Sequence, residues 1–295
     1  MIVPPALRPG DRVHVVAPSG PFDRALVLRG LGWLKERYDV RFGPGIFARE
    51  GFLAGPDSHR LAELQGALAA PDIRAVVAAR GGYGLTRIAH TLNMQPLRDH
   101  PKWVVGFSDI TALHVEVGRA RLASLHAHNV AGLGRGDARA RREWITALEQ
   151  PSTQRVFTGL RMLGSGTAEG PVHGGNLTVL FACAAAGRLD LPPGCLLFLE
   201  DVGEAPYRVD RMLSALLAAG HLDRVAGVLV GDFTDAPPGR HGVPVEAVLF
   251  ERLRELRIPI ATGFPAGHGQ KNAPVHLGIP ARIDSASSSI VLVPR

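Results

Sequence analysis

Short apolar runs and helix-period patterns alternate through the first half of the chain, and that rhythm leaves few folds open. Val13-His14-Val15-Val16-Ala17 reads as a strand and ends in the loop Pro18-Ser19-Gly20. Residues 23–38 then carry Leu26, Leu28, Leu31, Trp33 and Leu34 at helical spacing, behind Asp23 as a cap. A second helix is expected over 58–69, capped by Asp57 or Ser58. A buried strand over Ala75-Val76-Val77-Ala78-Ala79 runs into Arg80-Gly81-Gly82-Tyr83-Gly84, and another helix follows to residue 92. Trp103-Val104-Val105 then leads through Gly106 and Phe107 to Ser108, with Asp109 placed to cap a helix beginning at Ile110. Alternation of this kind requires right-handed crossovers and a parallel, doubly wound α/β sheet. Ligands of such sheets sit at the carboxyl ends of the strands, so the loops at Ser19, Gly81 and Ser108 are expected to share one site.

The pattern changes in the second half. Residues 134–170 are polar and rich in Arg and Gly, with one helical pattern over 138–148, and are expected to connect two domains. The boundaries expected are 1–134 for the first domain, 135–169 for the connection and 170–295 for the second domain. In the latter, Val172-His173-Gly174-Gly175-Asn176 precedes a small apolar helix, and Leu196-Leu197-Phe198-Leu199 is a continuous strand ending in Glu200-Asp201. Helices are expected over 207–219 and 243–256, with a strand over 225–230 between them. Residues 263–278 read as a loop, and Ala281-Arg282-Ile283-Asp284 with Ile290-Val291-Leu292-Val293 as a closing hairpin.

At 295 residues the chain can build two cores without disulfide staples. Only three of its 33 basic residues are lysines, and the arginines form neither an aromatic-interleaved stripe nor a basic tail. No nucleic-acid partner is therefore expected despite the net charge of +6. Cys183 and Cys195 both sit among apolar residues and read as small buried hydrophobes. No apolar run approaches the roughly eighteen residues that span a bilayer. Met1-Ile2-Val3-Pro4-Pro5 runs into Arg8-Pro9-Gly10-Asp11 without a charged-then-apolar leader, so a cytoplasmic protein without a membrane partner is expected.

A serine at a strand-to-helix corner lies beside open backbone N–H groups and the positive end of a helix dipole. A nucleophile belongs there, because the same N–H groups can stabilise an oxyanion. The full elbow wants Gly two residues after Ser, and Ile110 stands there, so a capped turn without chemistry fits the same residues. A serine nucleophile also needs a general base, and the base an orienting group. Among twelve histidines, His268 is set between Gly267 and Gly269, where backbone approach is easy; a solvated loop histidine is the plain alternative. Glu200 leaves an apolar strand, where a carboxylate is costly unless paired. Its partner is either an imidazole or one of Arg208 and Arg211. Asp201 and Glu204 read as caps of the helix near Tyr207. His126-Ala127-His128 sets two imidazoles on one strand face, but no carboxylate or cysteine cluster stands at ligand spacing, so no metal is expected. Gly81-Gly82-Tyr83-Gly84 lacks dinucleotide or P-loop spacing and suits an oxyanion-binding backbone as well as a phosphate. No cofactor is expected.

Taken in order, Ala17-Pro18-Ser19, Arg80-Gly81-Gly82-Tyr83-Gly84, Gly106-Phe107-Ser108-Asp109, Gly174-Gly175-Asn176-Leu177, Leu199-Glu200-Asp201 with Glu204, Tyr207, Arg208, Asp210 and Arg211, and Gly267-His268-Gly269 resemble the LD-carboxypeptidases. These serine peptidases include the murein tetrapeptide carboxypeptidases and the microcin C immunity peptidases. The resemblance covers nearly the whole chain. It implies a flavodoxin-like amino-terminal domain carrying the nucleophile and a smaller mixed-sheet α/β carboxyl-terminal domain, usually as a homodimer. The triad it implies is Ser108, Glu200 and His268, with Glu200 and His268 in the second domain. Backbone N–H groups of Gly82 and Asp109 would form the oxyanion hole. Arg80, Gly81, Asn176 and Arg208 are the expected substrate contacts: a guanidinium is the matched group for a terminal carboxylate, and Arg80 and Arg208 are the arginines nearest in sequence to the glycine loop and Glu200. A helix-end or surface ion pair is the plain alternative for each. The implied activity is cofactor-free removal of the terminal D-alanine from murein tetrapeptide, with a muropeptide as the small-molecule partner, in peptidoglycan recycling. One rival is an immunity-type serine peptidase that cleaves a peptidyl-nucleotide toxin, which the aromatic content of 6% disfavours. Another is a catalytically silent muropeptide-binding protein, which would need a triad residue out of place. Relatives often carry His-Gly-Pro where this chain has His126-Ala127-His128-Asn129, a departure that bears on substrate preference.

Overall fold

The apolar runs of the first half pair with one another as parallel strands. In the computed structural model, which describes residues 1–292, they form β1 (Arg12–Val16), β2 (Asp39–Phe42), β3 (Ala75–Ala78), β4 (Trp103–Gly106) and β5 (Ser124–His126). Helices α1 (Arg24–Lys35), α2 (Asp57–Ala69), α3 (Gln95–Asp99) and α4 (Thr111–Arg119) alternate with them, and α5 (Val130–Arg135) and α6 (Ala138–Glu149) follow. The strands run in the order β2-β1-β3-β4-β5, all parallel, which is the doubly wound flavodoxin-like order. Every side chain of β3 and β4 is buried, as expected of parallel strands covered on both faces. Two compact units result: Met1–Pro151 with Ala273–His276, and Ser152–Asn272 with the residues from Leu277 on. The segment read as a connection thus divides, α6 belonging to the first unit and the strands that follow it to the second.

Two local expectations are corrected in the first unit. The helix expected after Gly84 is a pair of 3-10 turns, Leu85–Arg87 and Ala89–Thr91. The Gly84 carbonyl accepts from Arg60 and, at 3.3 Å, from the Arg87 N–H that closes the first turn, while the Leu85 N–H donates to Asp109. Asp109 accordingly does not cap its own helix. A 3-10 turn, Ser108–Ile110, precedes α4 and aims the carboxylate at Leu85 instead.

The second unit is built on β6 (Arg155–Thr158), β7 (Arg161–Met162), β8 (Thr167–Asn176), β9 (Leu196–Val202), β10 (Gly227–Thr234) and β11 (Ile260–Thr262), with α7 (Leu177–Ala185), α8 (Pro206–Ala218) and α9 (Val245–Leu253) between them. Strand β12 (Val275–Leu277) lies beside β5 in the first sheet, and β13 (Pro280–Asp284) and β14 (Ser289–Leu292) return to the second. The eight-stranded second sheet is mixed: β8, β9, β10 and β11 are parallel, while β6, β14, β13 and β7 pair antiparallel at its flanks. The closing hairpin forms as expected with Ile283 opposite Ile290; Val293, its last expected residue, lies outside the described residues. The loop expected over 263–278 contains β12, because Val275-His276-Leu277 is a buried run with a strand edge to join. No helix among the described residues is long and apolar enough to cross a membrane.

Candidate active site

In the first unit, β4 delivers the chain through Gly106 and Phe107 to Ser108, which has φ of 68°. A non-glycine residue in the left-handed region costs on the order of 1 kcal/mol and persists only where its surroundings fix it. One such constraint is Gly81: a Cβ added there would lie 2.8 Å from the Ser108 Cβ and 3.1 Å from its Oγ. Only glycine lets the backbone after β3 approach the serine this closely. The Gly81 carbonyl accepts from Gly20 N–H at 3.1 Å, so the planar peptide it shares turns the exposed Gly82 N–H away from Gly20. Arg80 is exposed, and its guanidinium donates to the Pro21 carbonyl.

Asp109 is 3% exposed, and its Oδ2 accepts from Leu85 N–H at 2.8 Å. Burial pushes its carboxyl above the ordinary range, against the pull of the Ser19 hydroxyl, the Leu85 N–H and the Arg60 charge. Arg60 is a residue that sequence reasoning missed. Fully buried, it donates to the carbonyls of Pro18, Gly55 at 3.2 Å and Gly84 at 3.0 Å, and pairs with Asp57. It thereby ties the loops that leave β1 and β3. The signal was present, since Arg60 shares one helical stripe with the buried Leu64, Ala67 and Leu68.

Behind the serine, His114 donates its Nε2 proton to the Gly106 carbonyl at 3.0 Å, and its Nδ1 accepts from the Ser124 hydroxyl at 2.8 Å. A carbonyl can only accept, which assigns the tautomer. Burial pushes His114 down to about 3, so it is a neutral core histidine. A histidine depressed in the folded state stabilises fully above its unfolded pKa near 6.5 and loses that stability as pH falls toward the folded value. Unfolding free energy should therefore drop by about 2 kcal/mol between pH 7 and 5 from this residue alone. Denaturant titrations should show a shallower drop in His114→Gln; an equal pH slope would contradict the assignment. His126 and His128 both meet the Phe107 ring edge to face, with centroids at 5.8 and 6.1 Å. Burial pushes His128 down to about 4, so it too is neutral. Among the described residues, no group of three or more His, Cys, Asp and Glu side chains is gathered as for a metal ion.

In the second unit, β9 carries Glu200 to full burial. His268, from the loop after β11, places its Nδ1 2.6 Å from Glu200 Oε2, with side-chain exposures of 17% and 0%. The alternatives left open by sequence thus resolve toward the imidazole. Arg208 is exposed on α8, 3.6 Å from Glu204 and over the Tyr207 ring. A carboxylate accepts only, so the His268 ring donates to Glu200 from Nδ1. A Cβ at Gly267 would sit 3.0 Å from Glu200 Oε2, which is why glycine precedes the histidine. Asn176 is opposite Glu200 in the β8–β9 register and caps α7, accepting from Val179 N–H at 3.1 Å and donating to Asp201 at 2.9 Å. Asp201 also accepts from the Thr178 N–H and hydroxyl, so it fastens the start of α7 rather than capping the helix at Tyr207.

The chain belongs to the LD-carboxypeptidase family. The family's amino-terminal domain matches residues 13–127 and its carboxyl-terminal domain residues 169–283. Membership makes it a hydrolase of the carboxypeptidase class. It is 34% identical to the murein tetrapeptide carboxypeptidase of Pseudomonas aeruginosa, over 88% of this chain and 89% of that one. Among solved structures it is similar to the muramoyltetrapeptide carboxypeptidase of Oxalobacter formigenes, with a TM-score of 0.86 and 29% identity over 96% of this chain and 99% of the other. The microcin C7 self-immunity protein MccF shares the fold, with a TM-score of 0.90 at 21% identity over 100% of this chain and 99% of the other.

Proposed function

We propose that this protein is a serine-type LD-carboxypeptidase that removes the terminal D-alanine from murein tetrapeptide in cytoplasmic peptidoglycan recycling, working as a homodimer. The observation that carries the reading is the 2.6 Å pair of His268 Nδ1 and buried Glu200, the arrangement in which a carboxylate orients an imidazole base. In this mechanism Ser108 Oγ attacks the scissile carbonyl while His268 Nε2 takes the hydroxyl proton. Glu200 holds the tautomer and stabilises the imidazolium. Backbone N–H groups of Gly82 and Asp109 receive the oxyanion. His268 then gives the proton to the departing D-alanine amine, and water, deprotonated by the same imidazole, hydrolyses the acyl-enzyme. The substrates of the Pseudomonas and Oxalobacter relatives named above favour a murein peptide over a toxin conjugate.

A carboxypeptidase must also recognise the free carboxylate beside the scissile bond, for which Arg80 is our first candidate and Arg208, engaged with Glu204, the second. The peptide L-Ala–D-Glu–meso-diaminopimelate–D-Ala should release D-alanine. Its C-terminal amide should be cut about a hundredfold more slowly, the size of a lost charge-assisted pair. Equal cleavage of acid and amide would move the reading to the immunity-type peptidase.

A further inference from the structure

Asp232 is a second carboxylate beside the Glu200–His268 pair, and the fold goes to some length to put it there. Strands β9 and β10 run in register with Val230 opposite Leu199, and resume with Phe233 opposite Asp201. Two residues, Gly231 and Asp232, therefore stand against the single residue Glu200. Such a bulge re-aims the side chain it carries and is found next to active sites more often than elsewhere.

From the bulge, Asp232 grips the histidine loop on both sides of His268. Its backbone N–H donates to the Ala266 carbonyl at 2.9 Å, and its carboxylate packs against Gly269, whose N–H favours the ionised form. The approach is close enough to exclude side chains. A Cβ on Gly269 would lie 2.7 Å from Asp232 Cγ, one on Gly267 would lie 3.3 Å from Asp232 Cβ, and one on Gly231 would strike the Ala266 carbonyl oxygen. His268 is thus held two residues upstream and one residue downstream by the same amino acid.

A neutral amide of the same shape would pack against Gly269 equally well. Partial burial pushes the Asp232 carboxyl above the ordinary carboxylate range against the pull of the Gly269 N–H, and the charge of Glu200 on β9 adds to the push while His268 opposes it. A carboxyl under that pressure ionises most readily beside a cation, and the imidazolium formed during turnover is the one at hand. We propose that Asp232 is a positioning residue that brackets the His268 loop and shares with Glu200 the stabilisation of the His268 imidazolium. The proposal rests on the reading of His268 as the general base.

The test separates bracket from charge and is read without relying on turnover alone. Asp232→Asn keeps an acceptor for Gly269 and removes the charge; Asp232→Ala removes both. NMR titration of the His268 ring should show the imidazolium forming at a pH lower by about half a unit to one unit in Asp232→Asn. In the same variant kcat should fall ten- to a hundredfold with KM within about twofold. Asp232→Ala should lose a further tenfold and broaden the His268 resonances. Unchanged His268 titration and unchanged kcat in Asp232→Asn would overturn the charge role, and wild-type behaviour of Asp232→Ala would overturn the bracket. If Ser108→Ala kept its turnover, the underlying reading would fail, whereas the His268 titration would still report on Asp232.

Discussion

Ser108→Ala should fold as the parent does and lose turnover by roughly a millionfold in kcat, the usual cost of removing a triad nucleophile. The structural reason to expect an intact fold is specific. Alanine at φ of 68° meets the same backbone penalty as serine, and it removes an Oγ without adding an atom against Gly81. Ser108→Gly adds a sharper diagnostic. It should be equally inactive and more stable by on the order of 1 kcal/mol, because glycine adopts the left-handed region without the Cβ clash. A gain in stability coupled to complete loss of D-alanine release would mean that strain at this corner is tolerated for the sake of the hydroxyl. Activity within tenfold of the parent in either variant would remove Ser108 from the chemistry and the serine-peptidase reading with it.

What could be read from the sequence was what local residues decide. The runs within β3, β4 and β9 are apolar, as strands buried on both faces must be, and so the sheet class and the placing of Ser108 and Glu200 directly after such runs were legible, although β9 continues past Glu200 to Val202. What was not legible depended on long-range partners. Glu200 finds its imidazole 68 residues later in the chain, while Arg208 and Arg211 stand much nearer in sequence; nothing local chooses between them. Asp232 leaves Val228-Leu229-Val230 just as Glu200 leaves its own strand, yet its meaning comes from a bulge that only pairing with β9 reveals. Strand β12 lies among Gly and Pro residues and exists because β5 offers an edge. After Gly84 the chain makes 3-10 turns instead of a helix, and the Gly84 carbonyl is shared between the Arg87 N–H and the buried guanidinium of Arg60, a partner 24 residues away.

Glu200→Gln should leave the fold in place and lower kcat by roughly a thousand- to ten-thousandfold, as carboxylate-to-amide changes do in other triads. Glu200 is fully buried, so replacing it by an isosteric neutral side chain creates no cavity and strands no charge. The amide must, however, meet His268 Nδ1 with either its oxygen or its NH2 group. If the oxygen faces Nδ1, the tautomer survives but the imidazolium has lost the anion 2.6 Å away; if the NH2 group does, the ring must take its proton on Nε2 and can no longer accept from serine. Both outcomes penalise the transition state rather than substrate capture, so KM should move little while kcat collapses. Glu200→Ala should do as much kinetic harm and also destabilise, since it opens a hole in a fully buried strand. The rival assignment is the next residue along. Asp201 already serves Asn176, Thr178 and Val202, so Asp201→Asn should weaken the start of α7 and lower thermal stability with kcat largely preserved. If Asp201→Asn instead abolished turnover while Glu200→Gln spared it, the orienting carboxylate would be Asp201, and the pairing of Glu200 with His268 would be structural.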